Sequence, residues 1–172
     1  EKEMSALASA GVRLKVIGDV AGFAPELQTR IRAAEAATQK NQAITLVVAA
    51  NYGGRWDVLQ AVKQWRQQNP AVDIDQLTQG GIDQYLSTSG MPEPDLVIRT
   101  GGEKRISNFL VWQIAYSELH FSDVLWPDFS SFDLDKALEW FSQRQRRYGA
   151  LPSSSKCLRS EERRVGKECL RL

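Results

Sequence analysis

Apolar residues change their spacing along the chain, and each change marks an element. Residues 2–10 read as the end of a helix stopped by Gly11, and Val12–Ile17 then alternates in the manner of a strand. The chain thus opens inside an element. Phe23, Leu27, Ile31 and Ala34 recur at helical spacing until about residue 39. Ile44–Ala50 is apolar apart from Thr45, the continuous pattern that a parallel strand needs when both its faces are covered.

Next comes NYGGRWD, residues 51–57, leading into a helix for which Val58, Leu59, Val62 and Trp65 predict one buried face. A polar stretch with Pro70, Gly80, Gly81, Gly90 and Pro92 has room for two short helices. Asp95–Arg99 is a further apolar strand, and a second glycine pair follows it at Gly101 and Gly102. Residues 108–117, NFLVWQIAYS, are apolar almost all round, which predicts a buried helix or an element covered by a partner subunit. A strand near Leu119–Val124 and a helix over 133–147, burying Leu134, Ala137, Leu138 and Phe141, complete the alternation. The expected class is α/β, a mainly parallel sheet flanked by helices.

Composition changes this picture little. At 172 residues, with 42% hydrophobic and 25% charged residues, the chain is expected to be a soluble single domain. Its longest apolar run is far shorter than the ~20 residues of a membrane span, and no secretion signal follows Glu1. Charge is uneven. Residues 156–172 hold six basic and three acidic side chains, a net +3, which leaves −2 for the rest of a chain whose total is +1. A mildly acidic body argues against a broad nucleic-acid footprint. Both cysteines, Cys157 and Cys169, also lie in this tail, so nothing in the body implies disulfides, as suits a reducing cytoplasm. Residues 1–150 are expected to form the domain, and 151–172, rich in charge and without sustained periodicity, a tail that is disordered or foreign to the fold.

The candidate chemistry lies in RTGGEKRISNF, residues 99–109. Ligands of open parallel sheets bind beyond the carboxyl ends of the strands, where both glycine turns fall. Arginine's planar fork of donors matches phosphate oxygens, and Arg99 and Arg105 together suit a diphosphate. Ser107 adds a hydroxyl where a following helix would start. The residues alone also admit a plainer reading, in which the arginines make surface ion pairs, the glycines make a turn and the serine caps a helix. No Walker A or G-x-G-x-x-G spacing is present. Glu118 falls near the C-terminal end of the expected helix, where the macrodipole disfavours a carboxylate. Either a salt bridge or a hard Mg²⁺ shared with phosphate oxygens would compensate it. His120 reads as structural, and Asp123 and Asp128 as turn and cap residues beside Trp126-Pro127.

Taken together, AANYGGRWD (49–57), DLVIRTGGEKRISNFLVWQIAYSEL (95–119) and FSDVLWPDF (121–129) resemble the cis-prenyltransferase family in its bacterial form. The resemblance runs over about residues 1–150. It implies a Mg²⁺-dependent cytoplasmic homodimer that condenses isopentenyl diphosphate onto farnesyl diphosphate, making a long cis-polyprenyl diphosphate for cell-wall lipid carrier synthesis that is delivered to the membrane. By the family's motif, Arg99, Arg105 and Ser107 hold the diphosphate of isopentenyl diphosphate and Glu118 helps bind the metal. Glu103 and Lys104 belong to the same turn, with Lys104 standing where some members carry histidine. Arg147 and Gly149 resemble a C-terminal R-x-G that reaches the partner's site. The growing chain would lie in a tunnel walled in part by Ile44–Val48.

One departure stands out. The family's opening D-G-N-G-R-W-A loop, with its catalytic aspartate, does not occur in these 172 residues. The fold is therefore expected to be incomplete at its N-terminal side, lacking a central strand and exposing apolar surface, and the chain alone to have little condensing activity. The alternative is a non-catalytic subunit that supports an active cis-prenyltransferase partner.

Overall fold

Val12–Ile17 forms β1 and Ile44–Ala49 forms β2, which pair in parallel in register, Val12 with Ile44 through Ile17 with Ala49. The computed structural model describes residues 2–144, and the chain divides into two units, 1–130 and 131–172. Arg147, Gly149 and the tail from 151 onward lie outside the described residues.

Helix α1, Lys2–Ser9, ends at Gly11, whose φ of 72° lets the chain turn into β1. Helix α2, Pro25–Thr38, makes the crossover to β2, with proline in its first turn where a missing N–H costs nothing. It is tied to β1 by two polar bonds: Thr38 Oγ1 accepts from Leu14 N–H (3.0 Å) and Glu35 Oε1 from Val16 N–H (2.8 Å). Helix α3 spans Gly54–Gln68 and helix α4 spans Gln79–Asp83. Leu96–Arg99 forms β3 and Glu118–Phe121 forms β4, a second parallel pair in which Leu96 meets Glu118 and Arg99 meets Phe121. The described sheets are thus two separate two-stranded ladders.

The α/β alternation is as expected, but four expectations are corrected. Strand β2 is parallel yet not covered on both faces, since Ile44 is 63% exposed and Leu46 and Val48 are 42% exposed, which is apolar surface of the kind expected from the missing loop. Its free edge has no third strand among the described residues. The buried line of α3 runs through Gly54, Asp57, Ala61 and Trp65, while Leu59 faces out. Residues 108–116 form a succession of turns rather than a helix. Ser107, Asn108 and Leu110 hold positive φ (46°, 65° and 44°), which a right-handed helix excludes. In the second unit, Ser131–Ser142 forms α5, where Ala137 is buried but Leu134 and Leu138 are exposed.

Candidate functional site

Because β1, β2 and β3 all run into glycine-containing turns, the polar residues that follow them collect at strand ends. The turns after β1 and β2 are joined by hydrogen bonds from Asp19 N–H to Asn51 O (3.1 Å) and from Asn51 Nδ2 to Asp19 O (3.0 Å). The turns after β2 and β3 are joined more closely. Gly54 N–H donates to Asn108 O (2.7 Å), and Arg55 N–H donates to Asn108 Oδ1 (2.9 Å). Only glycine fits at 54, because a Cβ there would lie 2.7 Å from Val111 Cγ2 and 2.8 Å from Val111 N.

The expected diphosphate residues come together in part. Arg99, at the end of β3, donates from its guanidinium to Ser107 Oγ (3.0 Å) and to the carbonyl of Arg105. That fixes the guanidinium across the loop's mouth. The Arg105 side chain is 62% exposed and forms an ion pair with Glu103, while Lys104 is exposed. Gly101 N–H and Gly102 N–H bond to Val124 O and Ser122 O, so the glycines are anchored to the chain leaving β4. Two charged forks and a hydroxyl on an open loop can take up phosphate oxygens, one fork oriented by Ser107 and the other held only by a solvent-exposed ion pair.

Glu118 stands elsewhere. It is the first residue of β4 and not the end of a helix, so the helix-dipole argument does not apply to it. Its backbone pairs with Leu96, three positions from the Arg99–Phe121 pair, which puts it about 10 Å along the ladder from Arg99. No group of three or more His, Cys, Asp or Glu side chains is gathered among the described residues. His120 lies on β4 opposite Ile98.

A buried polar hub under the turns was not foreseen. Asp57, 1% exposed, accepts from Tyr52 Oη (2.8 Å), Ser87 N–H (2.9 Å), Ser87 Oγ (2.6 Å) and Gln113 Nε2 (3.1 Å). It therefore ties three segments far apart in sequence. Burial, together with the bond to Asp57, pushes the Tyr52 phenol well above its usual range and keeps it a neutral donor. Gln113, 5% exposed, also donates to Thr88 Oγ1 (3.0 Å), and its Oε1 is buried with no partner among the described residues. An acid in the first turn of an amphipathic helix reads as solvated, so periodicity hides Asp57. The sequence carries only indirect signs of it, namely its place three residues after Gly54 and the hydroxyls of Tyr52 and Ser87. Next to the hub is a cavity of about 860 Å³ whose lining includes Val47, Val48, Leu86, Phe109, Trp112 and Gln113. Its size is that of a small-molecule site and its walls are largely apolar.

Known proteins resemble the chain in sequence and in fold. The family model described as "Putative undecaprenyl diphosphate synthase" matches residues 1–149. An isoprenyl transferase of Ralstonia nicotianae is 47% identical over 148 residues, 86% of this chain and 57% of its own length. A ditrans,polycis-undecaprenyl-diphosphate synthase ((2E,6E)-farnesyl-diphosphate specific) of Pectobacterium atrosepticum is 51% identical, over 87% of this chain and 60% of its own. The crystal structure of lavandulyl diphosphate synthase from Lavandula x intermedia, in complex with dimethylallyl diphosphate, superposes with a TM-score of 0.79 at 32% identity. That alignment covers 85% of this chain and 64% of the other. The chain spans 56–63% of the length of these and similar curated relatives.

Proposed function

The chain belongs to the undecaprenyl diphosphate synthase family of prenyl transferases, and from that premise we propose that its 99–107 loop holds isopentenyl diphosphate for condensation onto an allylic diphosphate such as farnesyl diphosphate. The observation that carries this reading is the Arg99–Ser107 pair drawn across the loop beside a solvent-open Arg105. In such a condensation a carbon–carbon bond forms to the isopentenyl double bond, the allylic diphosphate departs with the bonding electrons and a proton is lost. The isopentenyl diphosphate stays attached throughout. Firm anchoring by Arg99, Arg105 and Ser107 is therefore compatible with turnover, because this anion need not leave during the bond-forming step. Glu103 and Lys104 flank it, and the apolar cavity bordered by Val47 and Val48 would take part of the isoprenoid chain.

A magnesium ion is expected with two diphosphates, and a hard cation takes carboxylate and phosphate oxygens together. The described residues fit it poorly by themselves: Glu118 is one suitable carboxylate, but its backbone is about 10 Å from Arg99 along the strands. A cytoplasmic homodimer, with the partner's site reached by Arg147 and Gly149 and the product passed to the membrane, belongs to the same proposal. No described helix is long and apolar enough to cross a membrane.

Calorimetric titration of the chain with isopentenyl diphosphate tests the reading. Saturable binding is expected, weakened at least tenfold, about 1.4 kcal/mol, by Arg99→Ala. Equal affinity of the variant and the parent would remove Arg99 from the site. Condensation by the chain with both substrates would count against a purely supporting subunit.

A further inference from the structure

Helix α3 begins without a cap of its own. Gly53, at its N-cap position, has extended backbone (φ −145°, ψ 130°) and offers no side chain to the first free N–H groups. The cap comes from 53 residues away, where Asn108 accepts from Gly54 N–H with its carbonyl and from Arg55 N–H with Oδ1. Its Nδ2 occupies the space above Gly53, 2.8 Å from where a Cβ would lie.

This cap also acts on the loop that supplies it. Ser107 and Asn108 are consecutive residues with left-handed backbone, a conformation that asparagine tolerates and serine does not favour. An unsupported loop would relax away from it. The two bonds to α3 hold Asn108 in place, and residue 107 is thereby held with its Oγ 3.0 Å from the Arg99 guanidinium. Both bonds are made by backbone donors of a fifteen-residue helix, whose place is set by the buried Asp57 hub.

We propose that Asn108 is a positioning residue: by capping α3 from across the site it locks Ser107 and Arg99 into the arrangement that receives the diphosphate. This rests on the reading that Arg99 and Ser107 bind that group. The role is one of preorganisation, so its loss should appear in ligand affinity even where the protein stays folded.

The test uses the 172-residue chain, calorimetric titration with isopentenyl diphosphate, and temperatures well below each variant's melting midpoint. Asn108→Gly keeps the left-handed backbone accessible while removing the side-chain amide that caps Arg55 N–H; about a tenfold loss of affinity is expected. Gly53→Ser combined with Asn108→Gly gives α3 a local cap, and the deletion of the Asn108 side chain opens the space the serine needs. The double variant should bind as weakly as Asn108→Gly, whatever its melting midpoint. Recovery of parental affinity would show that Asn108 serves the helix alone and would overturn the proposal, as would parental affinity in Asn108→Gly. Arg99→Ala separates the two levels. If it binds like the parent, or if the parent does not bind, the diphosphate reading falls and this inference with it. If it binds weakly while Asn108→Gly does not, only the positioning role falls.

Discussion

The two glycine turns that meet at Asn108 are built on opposite principles. NYGGRWD runs straight into helix α3 and sinks Asp57 beneath the surface with four donors around one carboxylate. RTGGEKRISN runs into no helix, holds Ser107 and Asn108 in left-handed backbone, and leaves Arg105 and Glu103 largely in solvent. One turn spends its polar groups on the fold, and the other keeps them available at the surface. The comparison implies that damage to the first should be read mainly in stability and damage to the second mainly in diphosphate affinity.

The largest effect is expected from Asp57→Ala. It leaves the Tyr52 hydroxyl, both Ser87 donors and the Gln113 amide facing a space with no acceptor, at a cost of about 3–5 kcal/mol. Urea denaturation followed by circular dichroism should show the midpoint fall accordingly. A loss below about 1 kcal/mol would mean that the hub does not support the turn. Asp57→Asn, which keeps an acceptor but loses the charge, should fall between the two.

Gly54→Ala attacks the seam between the turns. The new methyl group would press on Val111 and on the Asn108 carbonyl, 3.1 Å from its position, and such overpacking costs about 1–3 kcal/mol. Because the same displacement stretches the bond from Gly54 N–H to Asn108 O, affinity for isopentenyl diphosphate should fall along with stability. A variant that lost stability and kept full affinity would show that the second turn is positioned without the first.

How much of this was legible in the sequence differs between the same two turns. Strand β1 was placed to the residue and α2 nearly so, because their periods are clean and Gly11 marks the turn into β1. Arg99, Arg105 and Ser107 stood out because charge interrupts an apolar run, and Arg99 and Ser107 do meet. Residues 108–117 misled, since apolar composition reports burial and says nothing of the positive φ angles that break a helix. The shift of Glu118 from helix to strand follows from that error. Asp57 and Asn108 stayed hidden because an acid and an amide near helix starts usually face water, and only the fold shows which segment supplies their partners. The exposed apolar row on β2 is the reverse case: its pattern asks for covered faces that the described residues do not provide.

The smallest effect is the sharpest test of the contrast. Glu103 and Arg105 form an ion pair on the open turn, with side chains 48% and 62% exposed. In that setting water screens the attraction and the two long side chains lose freedom to make it, so such pairs contribute about 0–1 kcal/mol. Glu103→Gln should therefore shift the urea midpoint by no more than that. In 1 M salt, where the Debye length shrinks to about 3 Å, parent and variant should become indistinguishable. The cost of Asp57→Ala should persist under the same salt, because ions do not reach a buried carboxylate and its donors. If Glu103→Gln cost more than about 2 kcal/mol and kept that cost in 1 M salt, the second turn would be as much a part of the foundation as the first.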